Sequence, residues 1–165
     1  MKPITKIALS ALVAAAVGFA TPISVPAETG LPLPRYASLR ADKVNMRTGP
    51  GRRYPVDWIF VQSGLPIEIV SEFENWRKVR DWQGTKGWVH QSMLSGKRTV
   101  VIKGGLQPLR RAPNLDAPMT ARVMEKVIGN ILECEGDWCR IAVGKKRGWM
   151  RHTHFWGVYR HEKIK

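Results

Sequence analysis

Val44-Asn45-Met46-Arg47-Thr48-Gly49-Pro50-Gly51 opens, and Gly87-Trp88-Val89 closes, the stretch whose reading decides the fold. Between these brackets lie Tyr54, Trp58, Pro66-Ile67-Glu68-Ile69-Val70 and Asn75-Trp76-Arg77-Lys78-Val79. Short apolar runs punctuated by Gly, Pro and Asn at this spacing predict a small all-β barrel rather than a helical domain. The glycines after Thr48 can take positive φ, and Pro50 fixes its own φ, so the chain is expected to make a tight excursion and a long loop to Pro55.

The same landmarks return further on. Met46-Arg47-Thr48-Gly49-Pro50 reappears as Leu109-Arg110-Arg111-Ala112-Pro113, Asn75-Trp76 as Asp137-Trp138, and Gly87-Trp88-Val89 as Gly148-Trp149-Met150. The offsets are 63, 62 and 61 residues, so single-residue deletions account for the drift between two copies of one unit. A periodic chain has to be read by units before its fold is named.

In the first copy, strands are expected at Val56–Val61, Ile67–Glu72, Trp76–Asp81 and Thr85–His90. A helical turn follows at Ser92–Leu94, and Lys97–Ile102 is expected to close the unit. Gly87 should kink its strand or admit a neighbouring aromatic ring. In the second copy the expected strands are Leu106–Arg110, Met119–Met124, Val127–Cys134, Trp138–Val143, Lys146–Arg151 and a closing Phe155–Tyr159. Units of about sixty residues sit near the lower limit for a self-sufficient core, and the seven tryptophans are expected to supply much of the burial.

The amino terminus has the build of a secretory signal: Lys2 and Lys6 precede an apolar run from Ile7 to Ala20, too short to span a bilayer comfortably. Val25-Pro26-Ala27 offers a cleavage site after Ala27, with Ala20 as the alternative and a retained anchor as a third reading. The expected organisation is a signal peptide over 1–27, a linker over 28–37, a first unit over 38–102 and a hinge over 103–105. A second unit over 106–160 and a basic tail over 161–165 that frays complete it. The formal net charge of +14 falls to +12 once Lys2 and Lys6 are gone, and such a chain prefers acidic partners. Export directs that preference away from nucleic acid and towards the envelope, in the periplasm or outside the cell. No stable membrane span is expected after cleavage.

Val44 to Gly51, Tyr54-Pro55-Val56, Trp76 to Val79 and Gly87 to Val89 together resemble the bacterial SH3-like domain. Leu109 to Pro113, Asp137 to Ile141 and Gly148 to Met150 resemble it more loosely, without the Asn and both glycines of the opening loop. The combination is similar to the tandem form in exported proteins of Gram-negative bacteria. The resemblance implies two small, partly open barrels of five to seven strands that bind rather than catalyse. Such barrels often accompany cell-wall enzymes and are associated with peptidoglycan or other envelope ligands. The expected role is therefore a non-enzymatic envelope module that recognises peptidoglycan, another acidic envelope ligand or a cell-wall protein. A scaffold docking a protein partner and a basic nucleic-acid-binding barrel are the alternatives.

Among individual residues, Cys134 and Cys139 flank a four-residue connection between expected strands, where directly opposed positions lie within disulfide reach; an exported chain would oxidise them. The repeat puts Glu72 and Arg77 at the corresponding positions, where an ion pair is expected to span the same two strands. Arg47, Tyr54, Trp58 and Trp76 are candidates for a ligand groove, since aromatic faces pack on sugars and arginine pairs with carboxylates. Each aromatic also has a purely structural reading as a barrel residue. Trp88 and Trp149 are expected in the core. Trp82, beside the Gln83-Gly84 turn, suggests an interface. His152 and His154 fall on the second helical turn and are read as surface histidines, with no metal site and no cofactor expected.

Overall fold

The computed structural model describes residues 29–160 and 162–164; the expected signal peptide lies outside them. The described chain is all-β, with two short 3-10 turns and no α-helix. The first sheet contains β1 (Arg35–Leu39), β2 (Val44–Arg47), β3 (Val56–Phe60), β4 (Pro66–Phe73), β5 (Trp76–Arg80), β6 (Lys86–His90) and β7 (Leu94–Ser95). The second contains β8 (Thr99–Ile102), β9 (Gln107–Arg110), β10 (Met119–Val123), β11 (Ile128–Glu135), β12 (Trp138–Val143), β13 (Lys146–Arg151) and β14 (Phe155–Trp156). Their spatial orders are β3-β2-β6-β5-β4-β1-β7 and β10-β9-β13-β12-β11-β8-β14, so each strand of one sheet has its counterpart in the other.

Irregularities repeat along with the strands. A register shift interrupts β4 between Ile69 and Ser71, and its counterpart interrupts β11 between Ile131 and Glu133. Bulges bend a strand and increase its twist, which lets so long a strand serve both its neighbours in a small curved sheet.

Four expectations about the organisation of the chain need correction. Lys97–Ile102 does not close the first unit: Thr99–Ile102 pairs with β11 and β14, at the place β1 occupies between β4 and β7. The expected hinge over 103–105 therefore runs between β8 and β9 inside the second sheet. The supposed linker over 28–37 contains the start of β1, and Thr29 hydrogen-bonds the Glu72 carboxylate. The tail does not fray among its described residues. Ile164 accepts a hydrogen bond from the Cys134 backbone, and Glu162 pairs with Arg98.

The cores are mainly aliphatic, with one phenylalanine in each, Phe60 and Phe155. Leu39, Val44, Met46, Ile67, Ile69, Val79 and Val89 fill the first; Val100, Ile102, Leu109, Ile141 and Met150 fill the second. None of the seven tryptophans is fully buried, and Trp88 and Trp149 are not core residues. Alternation explains this: in β6 and β13 the inward positions belong to Gly87, Val89, Gly148 and Met150, which leaves the indole on the other face. Gly87 does admit a neighbour, but it is Met46, whose side chain would lie 2.5 Å from a Cβ at that position.

The two sheets touch through side chains from both. The Tyr36 ring meets Trp156 edge-on at 4.9 Å and Tyr159 at 4.6 Å. The Thr99 hydroxyl donates to the Gly64 carbonyl at 2.7 Å, and the Tyr159 hydroxyl donates to the buried Glu68 carboxylate at 2.9 Å. Arg80 holds the other Glu68 oxygen at 2.7 Å, so this buried charge is both paired and hydrogen-bonded.

Candidate functional site

Lys43, Asn45 and Arg47 lie at alternate positions at and just before β2, which places them on one face of the sheet. With Arg52 from the following loop, Trp76 from the start of β5, and His90, Ser92 and Met93 at the 3-10 turn, they line a groove of about 330 Å³. Its lining has three cationic side chains and no acidic one. The Trp76 and His90 rings stand edge to face at 5.3 Å, giving the groove an aromatic wall.

The loop that carries Arg52 is built around Tyr54. A Cβ at Gly49 would fall 2.4 Å from the Tyr54 ring, so only glycine lets the loop close over it. Arg47 Nη1 donates to the Tyr54 carbonyl at 2.7 Å and to the Arg52 carbonyl at 3.3 Å. Arg47 thus fixes the loop from inside while its guanidinium lines the groove. His90 is fixed too: its Nδ1 lies 2.7 Å from the Ser92 hydroxyl and accepts from the Ser92 backbone at 3.3 Å, capping the turn.

The four residues expected to line a ligand groove, and Trp82, are therefore divided. Arg47 and Trp76 share the groove; Tyr54 supports the loop beneath it. Trp58 lies elsewhere, half-exposed on β3, in a second groove of about 190 Å³ with Trp82. That groove also takes in Val101 of β8 and Lys126 from the turn between β10 and β11, which places Trp82 at the boundary between the two sheets. Lys43, Asn45, Arg52 and His90 were missed by the sequence reading. Only the alternation of Lys43, Asn45 and Arg47 signalled any of them in advance.

At the corresponding place in the second sheet Arg110 repeats the loop contact, donating to the Ala117 carbonyl at 2.8 Å. The surroundings differ. Asp137, Arg151, His152, Thr153 and Arg160 line a cleft of only about 90 Å³, and Arg160 pairs with Asp137 at 3.0 Å across it. That contact holds the Asp137 carboxyl below its usual range. His154 is pushed below the ordinary histidine value by burial and by Arg151 and Arg110 nearby. Cys134 and Cys139 form the expected disulfide, their Cα atoms 4.0 Å apart. No group of three or more metal-ligating side chains occurs among the described residues, and no helix there is long and apolar enough to cross a membrane.

No curated protein matches the chain. Solved structures similar to it include NlpC2 from Trichomonas vaginalis, at 11% identity and a TM-score of 0.36 over 79% of this chain and 51% of that one. NlpC1 from the same organism is 12% identical with a TM-score of 0.36, over 88% and 53%. An NlpC/P60 family protein from Bacillus cereus is 12% identical with a TM-score of 0.34, over 79% and 58%. The chain spans between half and three-fifths of the length of these structures. The bacterial SH3 domain family matches twice, over residues 40–96 and 103–157, one match falling on each sheet. The chain belongs to the bacterial SH3 domain family and carries two copies of the domain in tandem.

Proposed function

We propose that the protein is a non-enzymatic module of the cell envelope, in the periplasm or secreted, that holds peptidoglycan or another carboxylate-bearing envelope ligand. The reading rests on the groove of the first domain, where Lys43, Arg47 and Arg52 surround Trp76 and His90 with no acidic residue in the lining. Peptide stems of the cell wall supply carboxylates for the cations, and sugar rings supply apolar faces for the indole. Exposed cations act through a screened field, so retention falls as salt rises.

Purified sacculi incubated with the full chain in a salt titration test this. The chain is retained at physiological salt and released at high salt, and Trp76→Ala or Arg52→Glu weakens retention about tenfold, as loss of a central contact does. Arg47 is a poor choice of variant because it also holds the loop. No retention at physiological salt by the folded protein defeats the reading.

A second reading, a scaffold for a protein partner, draws on a different observation. The two domains are joined through Tyr36, Trp156, Tyr159 and Glu68, and Trp82 lines a groove at their boundary.

A further inference from the structure

β3 is an edge strand, bonded only to β2. Such strands present unpaired N–H and C=O groups and are commonly guarded by charge, proline or a bulge. The bulge here lies at Asp57, between the Met46–Trp58 and Arg47–Val56 pairs. Beyond it nothing guards the edge: Trp58 is 50% exposed, Ile59 43% and Val61 79%. Trp58 and Phe60 share a face with the core residues opposite them, Met46 and Val44, while Ile59 lies opposite Asn45 on the other face. Both faces of an open edge are thus apolar.

The second domain shows that the fold does not require this. The ladder register equates Trp58 with Ala121 and Ile59 with Arg122, so at these two positions the second edge strand carries a charge and no aromatic ring, whereas β3 has its one charge, Asp57, at the bulge. The exposed surface on β3 continues into the groove shared by Trp58, Val61 and Trp82 with Val101 and Lys126. Asp81, the acid in that groove, accepts hydrogen bonds from the Gln83 and Thr85 backbones and is occupied in its turn. Lys126 is exposed at the rim.

We propose that β3 receives an extended segment of a partner protein, which adds a strand to the sheet and sends an apolar side chain between Trp58 and Trp82. An acidic residue of that segment meets Lys126. Main-chain hydrogen bonds would supply affinity and alternate side chains specificity, as in other strand additions. Charge selects the occupant: at +14 for the whole chain, and still +12 without Lys2 and Lys6, a second copy is repelled, whereas an acidic segment is drawn in. This surface is separate from the Trp76 groove.

The full chain and its Ile59→Arg and Lys126→Glu variants are each panned against a displayed library of random dodecapeptides. Ile59→Arg imports the residue that the second domain carries at the same ladder position, so it preserves the fold, and circular dichroism verifies this. The wild type enriches peptides that alternate apolar residues and carry an acid. Ile59→Arg loses at least tenfold of that enrichment, and Lys126→Glu exchanges the acidic preference for a basic one. The proposal is overturned if the wild type enriches no alternating sequence, if Ile59→Arg enriches equally, or if Lys126→Glu leaves the acidic preference intact. A micromolar dimer in sedimentation that Ile59→Arg dissolves would also overturn it, giving the edge to a second copy.

Discussion

At one ladder position the two domains solve the same problem differently. Glu72 opposes Arg77 on β4 and β5, and Cys134 opposes Cys139 on β11 and β12, each pair just past the bulge of its long strand. In the first domain the link is electrostatic and spreads. The Glu72 side chain, 1% exposed, takes the guanidinium of Arg77 at 3.2 Å, that of Arg35, and the Thr29 backbone and hydroxyl at 2.9 Å. Arg77 continues to the Glu74 and Trp76 carbonyls and to Gln91 on the 3-10 turn. In the second domain the link is covalent and local. Arg98, the counterpart of Arg35, finds Cys134 at the position of Glu72 on the neighbouring strand and turns to Glu162 in the tail. The choice of cross-strand link therefore decides which terminal segment each domain holds: the amino-terminal one through Glu72, the carboxy-terminal one through Arg98.

The largest expected effect comes from breaking the electrostatic link. Glu72→Gln leaves Arg77, itself 4% exposed, without its counter-charge. Removing one partner of a buried pair costs about 3–5 kcal/mol, read as a lowered denaturant midpoint. Acid reaches the same end. Burial pushes the Glu72 carboxyl up, but the Thr29 and Arg35 hydrogen bonds outweigh it and hold its folded value below 4.5. Its contribution is thus complete above the unfolded value and is lost as pH falls through the folded one. Glu72→Cys with Arg77→Cys sharpens the comparison. The engineered disulfide should close, given the matching register, yet recover only part of the loss because Arg35 and Thr29 keep no acceptor.

Reducing the Cys134–Cys139 bond, or replacing both residues with serine, comes next. The closed loop has a sequence separation of 5, and a loop so short contributes about 2 kcal/mol. Titrating reductant against the thermal midpoint should move the wild type and leave the double serine variant unmoved. Smaller again is Tyr159→Phe, which takes one hydrogen bond from the Glu68 carboxylate at the boundary and costs about 1–2 kcal/mol. The Tyr159 hydroxyl is raised above the usual tyrosine value by burial and by donation to Glu68, and Tyr36 is raised to about 12, chiefly by burial. A raised folded value means stability that is complete below the unfolded value and lost as pH climbs through the folded one. Alkaline unfolding of the wild type should therefore begin above about pH 10, where unfolded tyrosine starts to ionise, and Tyr159→Phe should weaken that dependence.

The cross-strand pairs were legible in the sequence because they are local: a four-residue turn leaves strand pairing little freedom. The strands themselves were legible for the same reason, through Gly, Pro and Asn at their ends. The sheet to which Thr99–Ile102 belongs was not, since an apolar run has the same appearance whichever neighbour it joins, and its partners β11 and β14 lie far along the chain. The tryptophans misled because residue type suggested burial, whereas the strand period assigned the inward places to Gly87, Val89, Gly148 and Met150. In the candidate groove, Arg47 and Trp76 were readable from the repeat. Arg52 and His90 were not, because only folding carries the loop and the 3-10 turn to the same face.

The smallest expected effect sits at another pair of equivalent positions, Met93 and His154, each ending its 3-10 turn. Met93 cannot titrate. His154 can, and burial, with Arg151 and Arg110 close by, holds its folded value below 6.5. The folded protein then binds fewer protons than the unfolded chain as pH falls below 6.5, so stability declines with acidification through that window and is complete above it. The thermal midpoint measured at steps from pH 7 down to pH 5 should fall in the wild type. In His154→Met, which copies the first domain, it should fall less, and the remaining slope belongs to other groups. Equal slopes in the two proteins would show that Arg110 and Arg151 do not oppose the imidazolium, and that the second turn tolerates a charge where the first has a thioether.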